Sequence, residues 1–518
     1  MKNLDKMHFK SMKDMAKLIG KHWHTVVGDL YYKGCGTALN YKKAAKCYKK
    51  AADSGDVPGM EKLADCYAMG IGVKCDQKMA EYWRNCAVQA TQAQDGKSQT
   101  AVDMPEIPDD PQAQYELGIK YYSGDGVEKN YTIAFELFKK SAESGHPGGQ
   151  SGLGRCYAEG SGVQKDYAKA ISYYTKSAEQ NYDAGLNGLG LCYYKGQGVE
   201  KNYVKAFEYF SRAVHTGKAI AQNNLGNCYY HGHGVEKDGA KAFELFTKSA
   251  EQNYAGGFNG LGNCYNSGFG VEKDYAKALE YYRKAAEQNY AAAIYNIGRF
   301  YYYGLGVERD YVKAVEYYNK SAEQNYVLAQ YYLGLCYADG KGVERDLKEA
   351  AYWFQRAAEQ DNTNAQFNLG ICYDKGLGVQ KDTVKAVYWY TQAAERGNTD
   401  AQTNLGVYYA EGTGVKKNYE KSVYWYGKAA EAGNAVAQHN LGNRYFAGEG
   451  VAQNYEQAVY WFKKSAEQGY VKAQYNLALC YENGKGVQNN IAEAMSWYAK
   501  ASAQGHEKAT EALKRLIK

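Results

Sequence analysis

Apolar residues recur along this chain at helical spacing, broken every third or fourth position by polar ones, and the break itself repeats. A leucine-like residue is followed four positions later by Tyr, seven and nine later by Gly, and thirteen later by Asp or Asn, in thirteen copies. The anchors are Val27, Leu63, Leu117, Leu153, Leu189, Leu225, Leu261, Ile297, Leu333, Leu369, Leu405, Leu441 and Leu477; from Leu117 onward every interval is 36 residues, and one 18-residue insertion separates the second and third copies. In the copy around Leu333, residues Ala329, Leu333, Cys336 and Tyr337 share one face and predict a first helix, A. Gly340 and Gly342 predict the turn, which Val343 plugs, and Asp346 predicts the N-cap of a second helix, B, carrying Ala350, Tyr352, Phe354 and Ala357. Such a cap stabilises each repeat by about 1 kcal/mol.

Two small positions refine this unit. An alanine four residues after the cap recurs in twelve copies, with Ser422 the exception, which predicts a close crossing of A and B. The glycine after the anchor (Gly154, Gly190, Gly226, Gly334, Gly370, Gly406) lies inside helix A, where it costs about 1 kcal/mol relative to alanine, so a compensating close contact is expected. The unit is a helical hairpin stacked side by side, and a signature repeated thirteen times is architectural before it is catalytic. At the ends, Leu4, Met7, Met12, Met15 and Leu18/Ile19 fit a lone N-terminal helix, and HEKATEALKRLIK fits a closing C-terminal one around Leu513. The expected layout is a capping helix over 1–23, two repeats over 24–91, an insertion over 92–111, eleven repeats over 112–504 and a capping helix over 505–518. The insertion holds three of the five prolines and several acids, and is expected to be a flexible loop, either a tolerated excursion or a docking segment around DMPEIPDDP.

Composition narrows the function. Lys+Arg 63 against Asp+Glu 57 gives a net charge of +6 in short mixed clusters, which does not indicate nucleic acid. No stretch approaches a membrane-spanning length of apolar residues. The N-terminus has no apolar signal segment and carries Asp5 and Asp14, so the cytoplasm is the expected location. Eight of the 12 cysteines (Cys66, Cys156, Cys192, Cys228, Cys264, Cys336, Cys372, Cys480) occupy one position, three after the anchor; helix packing sets equivalent positions roughly 8–10 Å apart, too far for disulfides, and predicts reduced core residues.

AQFNLGICYDKGLGVQKDTVKAVYWYTQAAERG, from Ala365, resembles the Sel-1-like repeat, a branch of the tetratricopeptide-like solenoids. The resemblance covers about residues 24 to 513. It implies an all-α, right-handed α/α superhelical solenoid of about thirteen 36-residue hairpins with capping helices, used as a scaffold or adaptor, with helix A lining the concave wall. Family members range from membrane-protein degradation complexes to chitin-synthase regulators and bacterial factors that engage host cells. A cysteine-rich branch is associated with penicillin binding and hydrolysis, but the paired cysteines of that branch do not recur here.

Motifs that look chemical lack context. The G-x-G of each repeat follows no strand, and Gly96-Lys97-Ser98 lacks the earlier glycine of a phosphate loop. His22/His24 and His231/His233 have no partner cluster, so no metal and no cofactor are expected. Cys35, Cys47, Cys66, Cys75 and Cys86 crowd the first two copies, the one place where redox chemistry or a soft metal merits a test. Binding should use A-helix positions not needed for packing: Asn224, Asn296, Asn368, Asn404, Asn440 and Asn476 before the anchors, whose amides offer donor and acceptor to a peptide backbone. Beside them run Tyr295, Tyr331, Phe367, His439 and Tyr475, then Tyr194, Tyr230, Tyr302 and Phe446, as aromatic contact area. The asparagine row could equally orient the repeats, and many of the 54 tyrosines simply fill space. The expected function is a non-catalytic scaffold whose partner is a protein or peptide segment, with self-association left open; the alternatives are an enzyme of the cysteine-rich or redox type and a microbial factor acting on another cell. Replacing a groove asparagine is expected to weaken binding while leaving stability nearly intact.

Overall fold

The computed structural model describes residues 23–33, 41–69, 72–74, 76–95 and 107–517. Nearly all of the expected N-terminal cap, the centre of the insertion, His22, Cys35, Cys75 and Gly96-Lys97-Ser98 lie outside them. Among the described residues the chain forms thirteen helical hairpins and a lone final helix, Glu507–Ile517, with no strand: it is an all-α solenoid. It divides into two compact units, residues 1–144 with 161–163, and residues 145–160 with 164–518. The first holds three hairpins and the second holds ten with the final helix.

The Leu333 copy shows why these residues fold this way. Helix A spans Val327–Asp339 and ends on Gly340 at φ 69°, whose amide bonds the Cys336 carbonyl. Helix B spans Leu347–Ala358, and Asp346 accepts from the Lys348 and Glu349 amides at 2.8 and 3.2 Å. The same cap is made by Asp76, Asn130, Asp166, Asn202, Asp238, Asp274, Asp310, Asp382, Asn418, Asn454 and Asn490. A and B cross at the small residues: a Cβ on Gly334 would stand 2.7 Å from the Phe354 ring and 3.3 Å from the Ala350 carbonyl. Where serine replaces that alanine, Ser422 donates to the Gly406 carbonyl at 2.7 Å, so the hydroxyl is satisfied inside the crossing.

Stacking fixes the second turn glycine. A Cβ on Gly342, at φ 74°, would stand 2.1 Å from the carbonyl of Tyr311, which opens helix B of the preceding copy. The anchors fill the space between hairpins and are buried, Leu117 after the insertion excepted, which is half-buried. The helix before the insertion, Gln77–Asp95, runs past residue 91, and Pro111 opens the next helix with Asp110 as its cap.

Candidate functional site

The A helices of the second unit carry the residues singled out for binding. Asn224, Asn296, Asn368, Asn404, Asn440 and Asn476 are all half-buried. Their amides reach the neighbouring copy. Asn224 donates to Asn187 Oδ1 at 3.4 Å, and Asn296 to Asn259 Oδ1 at 3.1 Å and Asn263 Oδ1 at 3.5 Å. Asn476 donates to His439 Nε2 at 3.0 Å and to Asn443 Oδ1 at 3.1 Å. Asn368, Asn404 and Asn440 contact the Tyr331, Tyr390 and Tyr426 hydroxyls. The row is therefore a ladder between repeats, so a substitution in it removes a contact between copies as well as a surface amide.

The aromatic candidates divide in two. Tyr295 and His439 are buried, at 5% and 7% exposure, and leave no ring face open. Tyr295 packs on Tyr318, Tyr326 and Tyr332, and His439 on Phe462 and Tyr470. Tyr331, Phe367 and Tyr475 are half-buried and lean on the B-helix rings of their own hairpins, Phe354, Tyr390 and Tyr498, at 5.8 to 6.1 Å. Tyr194, Tyr302 and Phe446 lie edge-on to the first residue of helix B, Tyr203, Tyr311 and Tyr455, at 4.9 to 5.2 Å. Tyr230 donates to Ser267 Oγ at 3.1 Å.

Three features escaped the sequence reading. A second ladder joins glutamines 30 residues apart, for example Gln360 Nε2 to Gln330 Oε1 and Gln468 Nε2 to Gln438 Oε1, both at 2.7 Å. Its signal is the Ala-Gln before seven of the anchors paired with the Gln that ends many B helices. On four consecutive B helices Tyr352, Tyr388, Tyr424 and Tyr460 are exposed, each edge-on to the next residue, Trp353, Trp389, Trp425 or Trp461, at 4.9 to 5.1 Å. Finally, Arg299 stands two after its anchor on the A helix Ala291–Tyr303, half-buried, with its Nε buried and unpartnered and its guanidinium 5.9 Å from the Tyr295 ring.

The titratable groups are quiet ones. Burial pushes Cys66, Cys156, Cys228, Cys264 and Cys336 up to about 12, and Cys192, Cys372 and Cys480 to about 11; all eight are free and buried. Thiols so held make poor nucleophiles. His231 and His233 are lowered by burial and nearby cations, and His233 bonds the Tyr194 hydroxyl at 2.9 Å. Among the described residues no group of three or more His, Cys, Asp or Glu could hold a metal ion, and no helix is long and apolar enough to cross a membrane.

The Sel1 repeat family matches thirteen times, from 26–56 and 57–89 through 111–146 to 471–506, hairpin for hairpin with the helices above. The chain belongs to the Sel1 repeat family. A crystal structure of a protective antigen from uropathogenic Escherichia coli strains with an SLR fold is 34% identical, covering 82% of this Sel1 chain and 90% of its own, with a TM-score of 0.51. A Sel1 repeat protein from Oxalobacter formigenes is also 34% identical, over 46% of this chain and 94% of its own, with a TM-score of 0.41. No curated protein is significantly similar in sequence. The Sel1 solenoid is generally a non-catalytic protein-interaction fold, and no catalytic family is indicated.

Proposed function

We propose that this Sel1 protein is a scaffold that binds a protein segment along the A-helix face of its second unit. The observation that carries the reading is the asparagine ladder, because it spends only part of its hydrogen-bonding capacity on stacking. Asn296 and Asn476 use their N–H groups on the neighbouring copy, while their carbonyl oxygens carry no hydrogen bond among the described residues. Two such acceptors, half-buried at the same place in their hairpins, suit the N–H groups of an extended backbone, while the oxygens of Asn224 and Asn440 meet Asn223 and His439. Half-buried rings beside it, Tyr331, Phe367 and Tyr475, add contact area at modest entropic cost.

A second reading rests on the exposed B-helix tyrosines, Tyr352, Tyr388, Tyr424 and Tyr460, as an outer docking face. One experiment separates them. A photo-crosslinking amino acid is placed at exposed A-helix positions Tyr303, Lys375 and Glu411, or at Tyr352, Tyr388 and Tyr424, and adducts formed in a native extract are mapped. Specific protein adducts from the first set alone support the A-face scaffold. Adducts confined to the second set move binding to the B helices, and specific adducts from neither remove the scaffold reading.

A further inference from the structure

At the junction of the Ile297 and Leu333 copies, the position two after the anchor holds a guanidinium, Arg299, where two other junctions hold an amide acceptor. Between the copies at Leu261 and Ile297, Asn263 accepts from Asn296; between those at Leu441 and Leu477, Asn443 accepts from Asn476. The corresponding rung between Ile297 and Leu333 consists of Arg299 and Tyr332. A guanidinium has donors and no acceptor, so it cannot play the amide's part. The Tyr332 hydroxyl is paired with that of Tyr303 at 3.3 Å, and Arg299 has no hydrogen-bond or ion-pair partner among the described residues.

Its surroundings explain how the charge is tolerated and what it lacks. Arg299 sits over the Tyr295 ring, and its charge acts against the burial that raises the Tyr282, Tyr295, Tyr303 and Tyr326 hydroxyls. Ring faces stabilise a guanidinium without satisfying its N–H groups. Arg299 is itself half-buried, and Tyr303, whose hydroxyl feels its charge, is 43% exposed, so the guanidinium is within reach of solvent. A planar fork of donors, partly desolvated, walled by tyrosines and short of an acceptor, is complementary to a carboxylate.

We infer that Arg299 receives an Asp or Glu side chain of the segment bound along the A-helix face, with Tyr303 and Tyr332 closing around it. The inference rests on the scaffold reading and fixes one position of the partner: an acidic residue where the segment crosses from the Ile297 copy to the Leu333 copy.

The test uses the full chain, immobilised, and acetylated, amidated random peptides in two pools that differ only in a fixed central Glu or Gln. The wild type should retain the Glu pool roughly tenfold or more above the Gln pool, the scale of a charge-assisted hydrogen bond. Arg299→Gln should erase that difference while leaving retention of the Gln pool unchanged, which also shows that the variant is folded and competent. Arg299→Lys, which keeps the charge without the fork, should recover only part of it. Equal retention of both pools by the wild type overturns the inference and leaves the scaffold standing. A Glu preference that survives Arg299→Gln also overturns it. Preference only for a third pool with a free C-terminal carboxylate overturns the side-chain assignment, and retention of no peptide at all removes the scaffold reading with it.

Discussion

An asparagine before an anchor has two donors and a carbonyl acceptor, and the structure commits the donors of Asn476 to His439 and Asn443. Asn476→Ala leaves both acceptors short of a partner, and the expected loss of stability is about 1 kcal/mol by urea unfolding. Leu405→Ala, which empties a fully buried site, should lose about 2–5 kcal/mol. An Asn476→Ala chain as stable as the wild type would return the ladder to a purely ligand-facing role. His439 adds a pH dependence. Burial lowers its pKa to about 4 and Lys472 acts in the same direction, while the contact with Asn440 opposes them. Its folded value lies below its unfolded value of about 6.5, so the unfolded chain takes up the proton first. Stability from this residue is complete above the unfolded value and is lost as pH falls from there toward 4, by roughly 3 kcal/mol in all. The pH slope of unfolding should flatten across that window in His439→Gln; equal slopes in the two proteins would show that the imidazole is not held neutral.

At the scale of one hairpin, the second turn glycine carries the contact to the copy before it. In Gly342→Ala the new Cβ meets the Tyr311 carbonyl, whereas in Gly397→Ala, also at positive φ, it meets nothing within 4 Å. The second substitution should cost about 1 kcal/mol, from the left-handed conformation alone. The first should cost at least about 2 kcal/mol more, because backbone must shift; matched melting temperatures would mean that this turn does not bear on its neighbour. The hairpin itself was legible because each of its signals is local: the cap at Asp346, the glycine at Gly340 and the glycine–ring contact at Gly334 all act within one copy. The ladders were not, because Gln360 and Gln330, or Asn476 and His439, meet only after the stacking register is set. The same gap hid the burial of Tyr295 and His439: helical phase assigns a residue to a face, and the next repeat decides how much of that face it covers. The helix Gln77–Asp95 outran its expected end because QATQAQD, though poor in large apolar residues, consists of residues that tolerate helix, with no breaker before Gly96.

For the array as a whole, stability should be a sum of hairpins and their nearest-neighbour contacts, and the cysteines offer a built-in reading of it. Eight occupy one A-helix position along the chain, each buried and with its thiol pushed up to about 11 or 12, so alkylation near neutral pH reports the opening of its own hairpin. Cys480 lies in the last hairpin, covered on one side only by Glu507–Ile517, while Cys264 and Cys336 have full hairpins on both sides. Pulsed alkylation in rising urea, resolved by mass spectrometry, should therefore modify Cys480 at lower urea than Cys264 or Cys336. Simultaneous modification would show that the second unit opens as one cooperative body, and the nearest-neighbour picture would fail. The experiment also bears on chemistry: a core thiol that acts as a nucleophile must be reactive while its hairpin is closed, so full protection of all eight before unfolding removes them as catalytic groups. Rapid modification of any one in the native chain would instead reopen the cysteine-based enzyme as a reading of this protein.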